Sequence, residues 1–174
     1  MLTGRYDEAF RYAHELHSNQ KRKGTSIPYI SHLMIVSALV IENGGTEDQA
    51  IGALLHDAAE DQGGRETLEE IRNRFGDEVA EIVSDCTDSW TEEKPDWQPR
   101  KEVYLATLPA KPSRSLLVSL ADKTHNAEAI LFDYRNQPSR FASITATAAA
   151  RASRAATSSL RPQFSAPVSW LSSN

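Results

Sequence analysis

Apolar residues recur at helical spacing from Tyr6 to Phe132, and nowhere do they alternate with the period of two that a half-buried strand requires. Tyr6, Ala9, Phe10, Ala13 and Leu16 form one such stripe, which stops at the basic run Lys21-Arg22-Lys23-Gly24-Thr25. Pro28 suits the first turn of a second helix, where its missing N–H would be unpaired in any case. Ile30, His32, Leu33, Val36 and Leu39 continue that helix to Gly44-Gly45. The spacing predicts a third helix from near Thr46 to Gly63-Gly64, then shorter helices around Leu68–Phe75 and Val79–Cys86, the latter capped by Asp77. The polar stretch from Thr87 to Pro99 reads as a loop, followed by helices near Arg100–Leu108 and Ser113–Phe132. The expected class is all-α.

The chain of 174 residues suits one domain with an ordinary core. Its composition breaks near Pro138. All 24 acids and 15 of the 19 Lys/Arg lie in residues 1–137, leaving four Arg and no acid in 138–174. The first segment is the expected domain. The second is an Ala/Ser/Arg-rich tail without a stripe able to dock on a core, so a weak helix followed by disorder is expected there. A net charge of −5 disfavours nucleic acid as a partner. The single cysteine, Cys86, excludes an internal disulfide framework and reads as a buried structural thiol. With no signal-like start and no membrane-length apolar run, a cytoplasmic protein is expected.

Chemistry concentrates in two segments, His56-Asp57-Ala58-Ala59-Glu60-Asp61 and Ala121-Asp122-Lys123-Thr124-His125-Asn126, with His32 upstream. On a continuous helix, with His56 at zero, Glu60 lies near 40°, Asp57 near 100° and Asp61 near 140°, all on one face. Leu54, Ala58, Ile51, Leu55 and Ala59 take the opposite face. Three carboxylates so placed repel one another unless a cation offsets their charge. His32 and His56 would supply nitrogens, Asp57 and Asp122 oxygens. Mixed nitrogen and oxygen ligation suits manganese or a similar divalent ion better than a closed zinc site. His125 points about 100° away from Asn126 on a helix, which favours packing over ligation.

These residues carry a resemblance. Arg22-Lys23-Gly24-Thr25-Ser26-Ile27-Pro28-Tyr29-Ile30-Ser31-His32, Leu54-Leu55-His56-Asp57-Ala58-Ala59-Glu60-Asp61, Phe75-Gly76, Cys86-Thr87-Asp88 and Leu120-Ala121-Asp122-Lys123-Thr124-His125-Asn126 follow one another as in HD-superfamily phosphohydrolases. Within that superfamily the chain is similar to the hydrolase domain of RelA/SpoT-type alarmone enzymes, above all the stand-alone small alarmone hydrolases. The resemblance implies a compact multi-helix HD-domain fold over about residues 5–136. It also implies one Mn²⁺ on His32, His56, Asp57 and Asp122, and removal of the 3′-pyrophosphate from a guanosine or adenosine polyphosphate such as ppGpp. Glu60 and Asp61 would handle protons, with Glu60 favoured as the acid, though spacing does not divide the roles. Arg22, Lys23 and Asn126 would contact the nucleotide, with Arg100 and Lys101 weaker candidates for its phosphates. No synthetase segment follows, so a hydrolase alone is expected. An HD-type nucleotidase or phosphodiesterase, or a non-catalytic alarmone-binding protein, are the alternatives.

Overall fold

The computed structural model describes residues 1–90 and 97–136, without the side chains of Trp97, Pro99, Arg100 and Lys101. Among the described residues every regular element is a helix, and the sole β feature is an isolated bridge between Lys21 and Pro28. The all-α expectation therefore holds. The chain forms two compact units, Met1–Glu128 and Ala129–Asn174. In the second, the described part is the end of a helix, Ala129 to Asn136. The expected boundary at 137 and the tail at 138–174 lie outside the described residues.

In the first unit, α1 (Gly4–Leu16) is opened by Thr3, whose hydroxyl accepts from the Arg5 N–H, and it buries Ala9, Tyr12 and Ala13. The basic loop then folds back on itself through Arg22 N–H to Ile27 C=O at 2.9 Å. Helix α2 (Ile30–Glu42) starts two residues after Pro28, which therefore precedes the first turn, and the Pro28 carbonyl accepts from the Ser31 hydroxyl at 2.8 Å. Helix α3 (Glu47–Leu55) begins with a reciprocal capping box between Thr46 and Gln49.

Every residue of α3 from Ala50 to Leu55 is buried, so this helix is the axis of the unit. Each fully buried Leu or Ile there contributes roughly 1.5–3 kcal/mol over an exposed one. Ser37 ties its neighbours together: its hydroxyl meets the Tyr6 hydroxyl of α1 at 2.9 Å and donates to the Ala50 carbonyl at 2.9 Å.

One expectation fails here in an informative way. The third helix is not continuous, because α3 ends at Leu55 and a separate short α4 spans Ala58–Asp61. His56 and Asp57 form the turn between them. Asp57 has φ −96° and ψ −3°, in the sparsely allowed bridge region where active-site residues gather. Angles counted from His56 on an unbroken helix therefore do not carry over to Glu60 and Asp61.

Helices α5 (Gly64–Phe75) and α6 (Asp77–Cys86) meet at Gly76, whose φ of 94° a side chain would resist. Gly76, not Asp77, is the residue before α6. Helix α7 (Trp97–Thr107) starts earlier than the composition suggested, and its continuation into a 3₁₀ turn leads to α8 (Ser113–Asn136). Among the described residues no helix is long and apolar enough to cross a membrane.

Candidate metal centre

Three segments deliver the site's four residues. His32 sits in the first turn of α2, His56 and Asp57 in the break after α3, and Asp122 midway along α8. His32, His56 and Asp122 are buried, and Asp57 is partly so. His32 Nε2 lies 3.2 Å from Asp122 Oδ1 and 3.8 Å from Asp57 Oδ2. His56 Nε2 lies 3.1 Å from Asp57 Oδ2 and 3.8 Å from Asp122 Oδ1. The two imidazole nitrogens thus face the same two carboxylates.

The other ring nitrogens are already engaged. His56 Nδ1 donates to the Ala53 carbonyl at 2.8 Å, so a neutral His56 presents the lone pair of Nε2 to the cluster. That Nε2 is buried and has no aligned hydrogen-bond partner. His32 Nδ1 is 2.6 Å from His125 Nδ1.

An orphaned buried nitrogen among carboxylates is what a cation would satisfy. His32, His56 and Asp57 bring one donor atom each within 4.8 Å of one another, a group able to hold a divalent ion. Asp122 faces both imidazoles from the opposite element.

The electrostatics agree. Burial alone would raise the Asp57 pKa, yet the adjacent His56 charge and the hydrogen bond from Tyr29 hold it well below the usual carboxylate range. Asp122 is likewise held far down against its burial, by the adjacent imidazoles of His32 and His56 and by the nearby charge of Lys123. Burial would lower His56, but Asp57 and Asp122 overcome it and push it well above its ordinary value. His32, where burial wins, is lowered. The pocket therefore favours positive charge between two ionised carboxylates.

The proton-handling candidates lie on either side of α4. Glu60 Oε2 accepts from the Asp88 backbone N–H at 2.9 Å. Asp61 is exposed, and its Oδ2 accepts from Gln20 Nε2 at 2.8 Å. Gln20 is itself gripped, its Oε1 meeting His17 Nδ1 at 2.6 Å and Gln62 Nε2 at 2.7 Å.

Of the nucleotide-contact candidates, Arg22 and Asn126 are brought together. Arg22 Nη2 donates to Asn126 Oδ1 at 3.0 Å, while Asn126 Nδ2 donates to Asp122 Oδ1 at 2.5 Å. The asparagine amide therefore links the basic loop to the metal cluster. Lys23 is exposed and forms no hydrogen bond or ion pair with these groups. Arg100 and Lys101 belong to α7, but their side chains lie outside the described residues.

Several participants escaped the sequence reading. Tyr29 donates its hydroxyl to Asp57 Oδ2 at 2.5 Å, beneath the Arg22 guanidinium at 5.9 Å. Its place three residues before His32 was the available signal. Lys123 Nζ reaches Asp122 Oδ2 at 2.5 Å and lies 5.0 Å from the Tyr104 ring centre, with Lys111 Nζ on the same ring at 4.5 Å.

His125 is not a packing residue alone, since its ring bonds His32. Measured from Asp122 instead of Asn126, it lies one turn on and on the same face. Burial, with His32 and Arg22 adding to it, holds His125 down to about 4, so it is neutral near pH 7. Cys86 meets Ser119 Oγ at 3.6 Å, and burial pushes its thiol up, which leaves it a structural group.

Comparison with known proteins decides the family. The HD domain profile matches residues 9–157. This chain belongs to the HD-domain family. It is 38% identical over 122 residues to a Xenopus tropicalis protein named guanosine-3′,5′-bis(diphosphate) 3′-pyrophosphohydrolase MESH1, a stretch that is 68% of this chain and 65% of that one. It is 35% identical over 122 residues to the Aquifex aeolicus guanosine-3′,5′-bis(diphosphate) 3′-pyrophosphohydrolase, covering 70% of this chain and 17% of that protein. This HD-domain chain thus spans under two thirds of those relatives. A solved structure described as a metazoan ortholog of SpoT that hydrolyzes ppGpp superposes with a TM-score of 0.66 at 28% identity, over 78% of this chain and 72% of that one.

Proposed function

We propose that this HD-domain protein is a metal-dependent phosphohydrolase acting on guanosine 3′,5′-bis(diphosphate), releasing pyrophosphate from the 3′ position. The observation that carries the reading is the convergence of His32 and His56 Nε2 on Asp57 and Asp122, with Glu60 and Asp61 one turn beyond. The names of the relatives supply the substrate class. His32, His56, Asp57 and Asp122 would hold the cation, and manganese suits their mixed nitrogen and oxygen donors. A divalent ion held there would supply Lewis-acid chemistry, polarising a phosphoryl oxygen and lowering the pKa of a water.

The chain's own groups do the rest. Glu60, fixed by the Asp88 N–H, and Asp61, fixed by Gln20, exchange protons with the attacking water and the departing 3′-oxygen. Arg22 presents a flat guanidinium to base or phosphate, and its bond to Asn126 sets where it points. Lys23, exposed on the same loop, adds a mobile positive charge for the phosphates. Tyr29 keeps Asp57 in one orientation. The cytoplasm is the proposed location, and a small nucleotide the proposed partner.

Purified protein supplied with ppGpp and Mn²⁺ is expected to release pyrophosphate, measured with a coupled phosphate assay. The same assay with His56→Ala should show none. A folded, metal-loaded wild type that releases no pyrophosphate rules the reading out.

A further inference from the structure

His56 and His32 are oriented by different means. The outer nitrogen of His56 meets the Ala53 carbonyl, which can only accept, so the position of its proton is fixed by backbone. His32 has no such partner among the described residues. Its Nδ1 meets a second imidazole, His125, nitrogen to nitrogen at 2.6 Å. The ring centres are 4.9 Å apart and the planes differ by 23°, so the rings meet edge to edge. Stacked faces could not bring two nitrogens that close.

Two neutral imidazoles that meet nitrogen to nitrogen must share one proton between the two Nδ1 atoms. If it belonged to His125, His32 would carry its own proton on Nε2 and could not ligate. From these contacts we propose that His125 is a positioning residue: it accepts the Nδ1 proton of His32 and thereby holds the Nε2 lone pair toward Asp57 and Asp122. This rests on the ligand assignment made above. His125 and Asp122 are one turn apart on α8, so a single rigid helix carries both a ligand and the group that orients another. Partners that fix the tautomer of a ligating histidine are worth about 10- to 100-fold in metal affinity.

The test uses the full chain and Mn²⁺ alone, with free ion followed by electron paramagnetic resonance. His125→Phe keeps a ring but offers no acceptor; it should weaken Mn²⁺ binding by about 10- to 100-fold. His125→Asn places an amide oxygen near the same point and should recover most of the affinity. In the diamagnetic Zn²⁺-loaded protein, nitrogen–proton correlation spectra should show the His32 proton on Nδ1. Unchanged Mn²⁺ affinity in a folded His125→Phe protein overturns the inference, as does an Nε2 proton on His32 in the Zn²⁺ form. A His32→Ala control separates the two levels: if it binds Mn²⁺ as the wild type does, the ligand assignment itself has failed.

Discussion

Asp122 Oδ1 stands 3.2 Å from His32 Nε2, joining the middle of α8 to the start of α2 across the mouth of the α3–α4 break. Lys123 and Asn126 hold the same carboxylate at 2.5 Å each, so its direction is over-determined. Asp122→Asn keeps the shape and removes the charge. Metal assistance is worth several kcal/mol at the transition state, and each 1.36 kcal/mol is tenfold in rate. Pyrophosphate release is therefore expected to fall by about 100-fold or more, with Mn²⁺ affinity reduced and the circular dichroism spectrum unchanged. A variant that retains wild-type turnover at limiting Mn²⁺ would remove Asp122 from the centre.

Glu60 and Asp61 are held by different partners outside the ligand set, the Asp88 N–H and the Gln20 amide. Their loss should therefore separate chemistry from metal binding. Glu60→Gln and Asp61→Asn are each expected to cut kcat by about 100- to 10,000-fold while leaving Mn²⁺ affinity near wild type. Gln20→Leu, which removes the Gln20 bond to Asp61 but keeps the carboxylate, should cost less than Asp61→Asn. Kinetics beside a metal titration read both quantities. A parallel loss of Mn²⁺ binding would mean that these carboxylates are ligands instead.

Much of this organisation is legible in the sequence. The helices follow from apolar spacing and from stop signals such as Gly44-Gly45, because burial of one stripe is what each helix needs. The meeting of His32, His56, Asp57 and Asp122 could be anticipated because carboxylates crowded beside imidazoles repel one another unless a cation offsets their charge. The interruption at His56-Asp57 could not. Leu-Leu-His-Asp-Ala-Ala contains no breaker, and packing, not propensity, ends α3 there. The orienting contacts of His125, Tyr29 and Gln20 are tertiary, and local spacing gives their side chains no partner.

The position of the centre depends on how closely α3 approaches α6, and Gly52 sets that approach. A Cβ at residue 52 would sit 2.6 Å from Ile82 Cγ2 and 3.1 Å from Ile82 Cβ, atoms of a branched side chain close to its backbone. Relief requires the helices to separate. Gly52→Ala should destabilise by about 1–3 kcal/mol despite its better helix propensity. Since His56 directly follows α3, Mn²⁺ affinity should drop as well. Urea unfolding gives the first quantity and a metal titration the second. A stabilised variant would show that Ile82 moves aside freely.

His17 provides a pH test away from the ligands. It caps the end of α1, is buried at 2% exposure, and lies against Tyr29 with ring centres 5.3 Å apart. Its Nδ1 meets Gln20, while its Nε2 is buried without a partner. Burial pushes its pKa below the ordinary 6.5, more than the Gln20 bond and the charges of Asp57 and Asp61 raise it. The sign follows from linkage: between the folded and unfolded values the unfolded chain binds the extra proton, so stability is full above about 6.5 and declines as pH falls below it. Other histidines titrate in the same range, so the informative quantity is the difference between wild type and His17→Gln. Urea midpoints measured from pH 7.5 to 5 should fall more steeply for the wild type than for the variant. Equal slopes would mean that His17 is charged in the folded protein, with its Nε2 proton placed where the structure offers it no acceptor.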